Sequence, residues 1–485
     1  MSVSVSAKIC MYRLLELGDC FLVTFTAGAS KSRMLVDCGS FRNSAVSAAR
    51  LDKITKAIAQ DLAGAPIDVV VGTHQHNDHL SGFVHCEKTF RKIGIGQVWL
   101  SWLDDPADKK AQKIGEAHNN LVRQLHAVRA ALRSSIDGAR ALRPQAARSF
   151  EVLDDMLGFY GASGSTSPEL PANAIKILKE IGKQKPEYLK PGRTLDLPGL
   201  PPGSVRVHVL GPPRKDEDLF RIDPKKGESY DSALAAANLF ASRLLDASRQ
   251  GRRSPSRRGR SAESGSSSQD REDYPFNQRY RRTTAASRSP ALAAMVERYR
   301  ARADAWRTID DDWLQQASTL ALYLDTFTNN SSLVLAIELV ASGKVLLFAA
   351  DAQTGNWSSW ATVKWEDAGV TTDDLLARTV FYKVGHHASH NATLVAAFEK
   401  LGTPELVALI PVHKKDPNIT KVNGWKMPAR NLFKRLTEKT NGRVLQMDGV
   451  NPAECDPAVN PAKAAWKKIG IKPRITDITI ELDIP

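Results

Sequence analysis

Hydrophobic and polar positions alternate in short stretches over the first hundred residues. Lys8 to Leu15, Cys20 to Thr26 and Arg33 to Val36 are rich in β-branched, aromatic and aliphatic residues. Gly18-Asp19 and Gly28-Ala29-Ser30-Lys31 separate them, so each run is predicted to be a strand. From Ala48 to Leu62 the period lengthens: Leu51, Ile54, Ala57, Ile58 and Leu62 recur every three or four residues, which marks one face of an amphipathic helix. Ile67-Asp68-Val69-Val70-Val71 is almost continuously apolar, as a strand buried on both faces must be. It stops at Gly72-Thr73-His74.

The middle of the chain reads differently. From about Asp105 to Tyr160 helix formers dominate, with Leu121, Leu125, Val128 and Leu132 on one stripe, which predicts an inserted helical hairpin or cap. Val205 to Leu210 alternates as a strand, and a further helix is expected from about Pro290 to Leu324. Strand patterning returns at Ser332–Ile337, Val345–Phe348, Val380–Val384, Leu406–Pro411 and Ile475–Leu482, between helical segments such as Ala429–Leu436. This order implies an α/β sandwich whose polar residues gather at strand ends. The expected organisation is a first half over 1–104, a helical insertion over 105–324 containing the returning strand near 205–210, and a second half over 325–485.

Composition excludes little beyond the unusual classes. With 485 residues, 42% apolar and 25% charged, the chain is neither collagen-like nor wholly disordered, and it can bury a sizeable core. Charge is the outlier, at +14. Eleven arginines against four acids between 249 and 288 supply half of that excess, in a Ser-rich stretch with too few aliphatic side chains to offset its ordering entropy. That stretch is expected to be a disordered insert. The five cysteines form no C-x-x-C pair, so reduced, buried thiols are expected. Met1 to Cys10 carries no signal-peptide pattern, and the most apolar region, Leu333–Ala350, is broken by Glu338, Ser342, Gly343 and Lys344. A cytoplasmic protein without a membrane span is the expectation.

The chemistry concentrates in Thr73-His74-Gln75-His76-Asn77-Asp78-His79, where four potential metal ligands follow a buried strand within six residues. Residues i and i+2 of an extended segment point the same way, so His74 and His76 can grip one ion while the following turn aims Asp78 and His79 at a second. Imidazole and carboxylate suit zinc, as one or two ions, with manganese or iron also accommodated. Asp351, closing one strand, is placed to bridge two ions, and His386, closing another, to complete the second. A bound divalent ion lowers the pKa of its water to about 7. Asp78 can orient that water. His387 and Lys383 are candidate catalytic donors to an anionic intermediate or leaving group, with Ser389 and His390 beside them. Asp37 is expected to hydrogen-bond the metal loop. Trp357 and Trp360 are expected in the core, with a pocket wall as the alternative.

These segments together resemble the metallo-β-lactamase superfamily, and within it the soluble lactamase-like domain of ComEC-type competence proteins. The resemblance rests on Gly18-Asp19, Leu35-Val36-Asp37-Cys38-Gly39, the H-x-H-x-D-H loop, Asn329-Asn330-Ser331-Ser332, the strand into Asp351, and Lys383-Val384-Gly385-His386-His387-Ala388-Ser389. It implies an αββα sandwich, a four-layer α/β fold, with a one- or two-metal hydrolytic site at one edge. The chain departs from the family pattern at Ala350, where Gly precedes the bridging Asp, and at Ala388, where His-His-Gly-Ser is usual. A third His for the first ion has to come from His118, His126 or His208. The function expected first is a phosphodiesterase or nuclease acting on nucleic acid or another anionic substrate. Hydrolysis of a small ester, amide or phosphoester is the alternative, and a non-catalytic binding or regulatory module with a degenerate site the third.

Overall fold

The computed structural model describes residues 3–137, 144–161, 170–221, 290–300, 313–421, 424–448 and 462–485. The Arg/Ser-rich stretch 249–288 lies outside the described residues, as does Cys455. Two sheets stack face to face with helices outside each. In the first, β1 (Val5–Tyr12), β2 (Cys20–Ala27) and β3 (Ser30–Cys38) form an antiparallel meander, which continues in parallel through β4 (Ile67–Val71), β5 (Ile95–Ser101) and β6 (Glu187–Leu189). β15 (Thr479–Ile484) pairs with β1 and carries β14 (Arg474–Ile475) at the far edge. The second sheet runs β13 (Val444–Gln446), β12 (Val407–Ile410), β11 (Thr379–Lys383), β10 (Lys344–Phe348), β9 (Val334–Leu339), β8 (Val205–Gly211), β7 (Thr194–Asp196).

The period-2 patterning places the core. Leu335, Ile337 and Leu339 of β9 and Leu346 and Phe348 of β10 enter the inter-sheet core, where the Phe21 and Phe348 rings meet edge to face at 5.9 Å. Their neighbours Val334, Ala336, Val345 and Leu347 face the opposite side, against the outer helices. Helix α1 (Ala45–Leu62) is capped by the Ser44 side chain on the Ser47 N–H and buries Leu51, Ile54, Ile58 and Leu62. With α2 (Asn77–His85), α3 (Glu87–Ile93) and α6 (Leu170–Ile181) it belongs to the first sheet's side, while Arg430–Lys439 seats Leu432 and Leu436 in the second sheet's outer core. Helices α4 (Lys109–Asp137), α5 (Pro144–Gly158) and α7 (Trp313–Asn330) pack on one another as a cap. Trp357 and Trp360 are fully buried in the core beneath the second sheet.

The division of the chain differs from the expected one in two places. Besides the expected returning strand, seen as β8, the stretch 105–324 supplies β6 to the first sheet and β7 to the second. The C-terminal strands return to the first sheet, where β15 takes the hydrogen-bonding edge of β1 that would otherwise stay unpaired. One rim of the sandwich collects backbone that L-residues rarely adopt: Asp37 (φ 55°), Ala350 (φ 46°), His386 (φ 41°), His387 (φ 50°) and Ala388 (φ 60°). Such strain at strand ends persists only where surrounding structure enforces it, and it clusters at functional sites.

Candidate metal centre

The loop between β4 and α2 is fixed from below by Asp37. Its Oδ1 accepts the Thr73 N–H at 2.9 Å, and its Oδ2 accepts the Thr73 hydroxyl and His79 Nδ1–H, each at 2.7 Å. Close packing seats the loop. A Cβ on Gly39 would meet the His79 backbone, and one on Gly18 would meet the Gly39 carbonyl. The Asp19 N–H donates to the Asp78 carbonyl at 2.9 Å, so the β1–β2 turn is latched to the same loop.

The bonding network assigns each ring proton. Thr73 has given its hydroxyl proton to Asp37, so it accepts from His74 Nδ1–H at 3.0 Å and leaves His74 Nε2 as a lone pair. Leu324 O takes the Thr328 hydroxyl proton, Thr328 accepts from Tyr160 at 2.6 Å, and Tyr160 accepts from His76 Nε2–H at 3.1 Å. His76 Nδ1 is therefore also a lone pair. It faces His74 Nε2 at 3.1 Å. Burial first, with the neighbouring imidazoles, holds His74 well below the ordinary histidine range and His76 down to about 3, so no proton settles between them.

The second sheet brings the complementary groups. His387 Nδ1–H donates to Pro411 O at 2.9 Å, which turns Nε2 inward, 3.0 Å from Asp78 Oδ2 and 3.1 Å from Asp351 Oδ2. His79 Nε2 lies 3.2 Å from Asp351 Oδ2 and 3.7 Å from Asp78 Oδ2. Bonds of about 2.0–2.1 Å in a tetrahedral ion imply ligand-to-ligand edges of about 3.3 Å, and these four distances bracket that value. Asp78 Oδ1, Asp19 Oδ1 and His79 Nε2 are buried with no hydrogen-bond partner. Asp19, His79, Asp351 and His387 also group within 4.8 Å, but Asp19 approaches the outward Nδ1 edges of His79 and His387 and spends its Oδ2 on Lys383. Asp78 is the better fourth ligand. Burial alone would lower His79 and His387. The carboxylates of Asp351, Asp78 and Asp19 outweigh it, raising His79 and pushing His387 up to about 10. A cavity that pulls protons onto two imidazoles fits a divalent cation, which displaces those protons on binding.

Several expectations change on this geometry. His387, not His386, reaches the carboxylates, because successive left-handed residues at 386 and 387 swing the two rings apart, to 6.3 Å between centroids. His386 instead meets Asn329 at 3.4 Å, Gln353 at 3.1 Å and Ser389 at 3.0 Å. Ser389 thus supports His386 and not the cluster, and His390 is half-buried at the rim. Lys383, expected as a donor to the leaving group, gives its three N–H groups to Asp19 Oδ2 at 2.5 Å, Ala350 O at 2.7 Å and Asp351 Oδ1 at 3.1 Å, so none remains. His208 lies within β8 between Thr194 and Glu338, each 3.0 Å away, and is not brought to the site. His118 bonds Thr328 at 3.0 Å, two links behind His76, and the ring of His126 has an unpartnered Nε2 within α4.

Sequence reasoning passed over Tyr160, Thr328 and Asp325. The cap delivers all three, Tyr160 from the turn after α5 and the others from α7, and the one visible signal was an acid at 325 on the same helical face as buried Ala321 and Ser318. The described fold and its paired imidazole and carboxylate ligands fit a metal-dependent hydrolase. Residues 15–119, which hold β2 to β5 and the whole His74–His79 loop, match the family model of the metallo-beta-lactamase superfamily. No curated protein matches the chain. Among the described residues, no helix is long and apolar enough to cross a membrane.

Proposed function

We propose that the protein is a metal-dependent hydrolase of a small ester, amide or phosphoester. The hydrolase reading is carried by the facing lone pairs of His74 Nε2 and His76 Nδ1, 3.1 Å apart and beside the Asp78, His79, Asp351 and His387 cluster. Two lone pairs at that distance repel unless a cation joins them. When bound, a divalent cation acidifies water and supplies a nucleophile at neutral pH. The chain does the rest. Asp37 and Pro411 O fix the His79 and His387 tautomers so that both Nε2 atoms point inward, and Lys383 offsets the charge of Asp19 and Asp351. Zinc suits this donor set, and manganese or iron is accommodated by it.

The choice of a small substrate comes from the approach. A narrow recess of about 40 Å³ reaches His74 past Asp104, His118 and Thr328, and an outer recess of about 330 Å³ shares Gln75, Leu103, Asp104, Gly115 and Asn119 with it. The outer volume matches a small-molecule site, and the inner one admits only a small group. The charged lining of the outer recess is Asp104, Asp105 and Glu116 against Lys179, a field that repels a polyanion. A nuclease remains the second reading. It is favoured by the arginine-rich segment 249–288 and by the likeness to competence-protein domains, and so basic a segment would hold nucleic acid by its phosphates.

The test is elemental analysis followed by a substrate panel with zinc, manganese or iron. Metal uptake and cleavage of p-nitrophenyl esters or bis-p-nitrophenyl phosphate, lost in His76→Ala and Asp78→Ala, support the proposal. A wild type that takes up no metal overturns the hydrolase reading. Cleavage confined to DNA or RNA overturns the small substrate.

A further inference from the structure

The first ion position is short of a ligand. His74 and His76 supply two nitrogens, while His118 Nε2 is spent on Thr328 and His208 on Thr194 and Glu338. The cap helix α7 places a carboxylate against the His76 ring instead. Asp325 is 7% exposed, and its Oδ2 accepts from Asn329 Nδ2 at 3.1 Å. Its Oδ1 is buried without any hydrogen-bond partner. That oxygen lies 3.7 Å from His76 Nε2, beyond hydrogen-bond range, and the His76 N–H is already given to Tyr160.

We propose that Asp325 is a ligand of the first metal ion, taking the place of the third histidine that the chain lacks. This rests on the metal-dependent reading above. A buried carboxylate with one orphaned oxygen is costly unless a cation meets it. Among the described residues no side-chain cation is paired with that oxygen: the nearest base, His76, has given its Nε2–H to Tyr160. The same oxygen chemistry suits zinc, manganese and iron. The cap then does more than cover the site. Through α7 it completes the inner coordination, and Tyr160 and Thr328 from the same cap hold the His76 ring in the orientation that bares Nδ1.

The experiment measures metal stoichiometry and affinity on the full chain, by elemental analysis and by zinc or manganese titration of chelator-stripped protein. Wild type is expected to bind two equivalents. Asp325→Asn and Asp325→Ala are expected to bind one tightly and the other more than about 100-fold more weakly, matching His74→Ala. Thermal unfolding of the metal-free variants shows that they fold. Two equivalents in both Asp325 variants, with affinities within about threefold of wild type, overturn the inference, as does a wild type that holds a single ion. A wild type that binds no metal overturns the hydrolase reading instead.

Discussion

Replacing His387 and His386 in turn separates two residues that are neighbours in the chain but not in the site. Both have left-handed backbone, so asparagine, which tolerates that conformation better than alanine, is the replacement for each. His387→Asn removes the Nε2 that stands 3.0 Å from Asp78 Oδ2 and 3.1 Å from Asp351 Oδ2. Four-ligand zinc sites bind with about 10–16 kcal/mol, so one ligand accounts for about 2.5–4 kcal/mol. At about 1.4 kcal/mol per decade this is a loss of about 100- to 1,000-fold in metal affinity. His386→Asn disturbs only Asn329, Gln353 and Ser389, and is expected to change affinity by less than about tenfold. Competition against a chromophoric chelator reads both values. If His386→Asn releases the metal while His387→Asn keeps it, the assignment of His387 is refuted.

Three further outcomes are expected. Asp37→Asn takes away the acceptor that fixes His79 Nδ1–H, and should weaken metal binding about 10- to 100-fold in the same competition assay while the protein stays folded. Gly39→Ala forces a methyl group against the His79 backbone and should cost about 1–3 kcal/mol in denaturant unfolding; an unchanged midpoint would show that the loop yields freely. Glu338 is drawn down to about 2 by its hydrogen bond to His208 and by Arg378, against the opposing effect of burial. Its stabilisation is therefore complete above its ordinary pKa near 4.5 and is lost as pH falls toward 2. Partly exposed, it contributes about 1 kcal/mol after solvent screening, and Glu338→Gln should remove that acid-side slope from unfolding curves measured between pH 5 and 2.

Legibility in the sequence followed the range of the determining interaction. Strands such as Ile67–Val71 and helices such as Ala45–Leu62 are announced by local periodicity, and H-x-H-x-D-H announces its ligands because spacing alone sets their direction. Asp351 was readable as a carboxylate closing an apolar strand. The choice between His386 and His387 was not, since it turns on two left-handed dihedrals that Gly385 and Ala388 frame, and no side-chain pattern encodes them. The positions where the family pattern has glycine, Ala350 and Ala388, are themselves left-handed, so the backbone demand persists although the residue that meets it most easily is absent. Asp325 was hidden for another reason: it sits in an ordinary amphipathic helix and acquires its meaning only from where α7 docks.

The candidate ligands are scattered along the chain to a degree that has a thermodynamic consequence. Asp78 and His387 are 309 positions apart, and they follow strands of different sheets. No partly folded half can present both, so a cation that joins them discriminates almost wholly between the native state and everything else. It acts as a reversible crosslink across the sandwich, worth about 4 kcal/mol at a thousandfold excess over its dissociation constant. Melting temperature thus becomes a metal assay that requires no substrate. A chelator should lower it with the logarithm of the free metal concentration, well before the site empties.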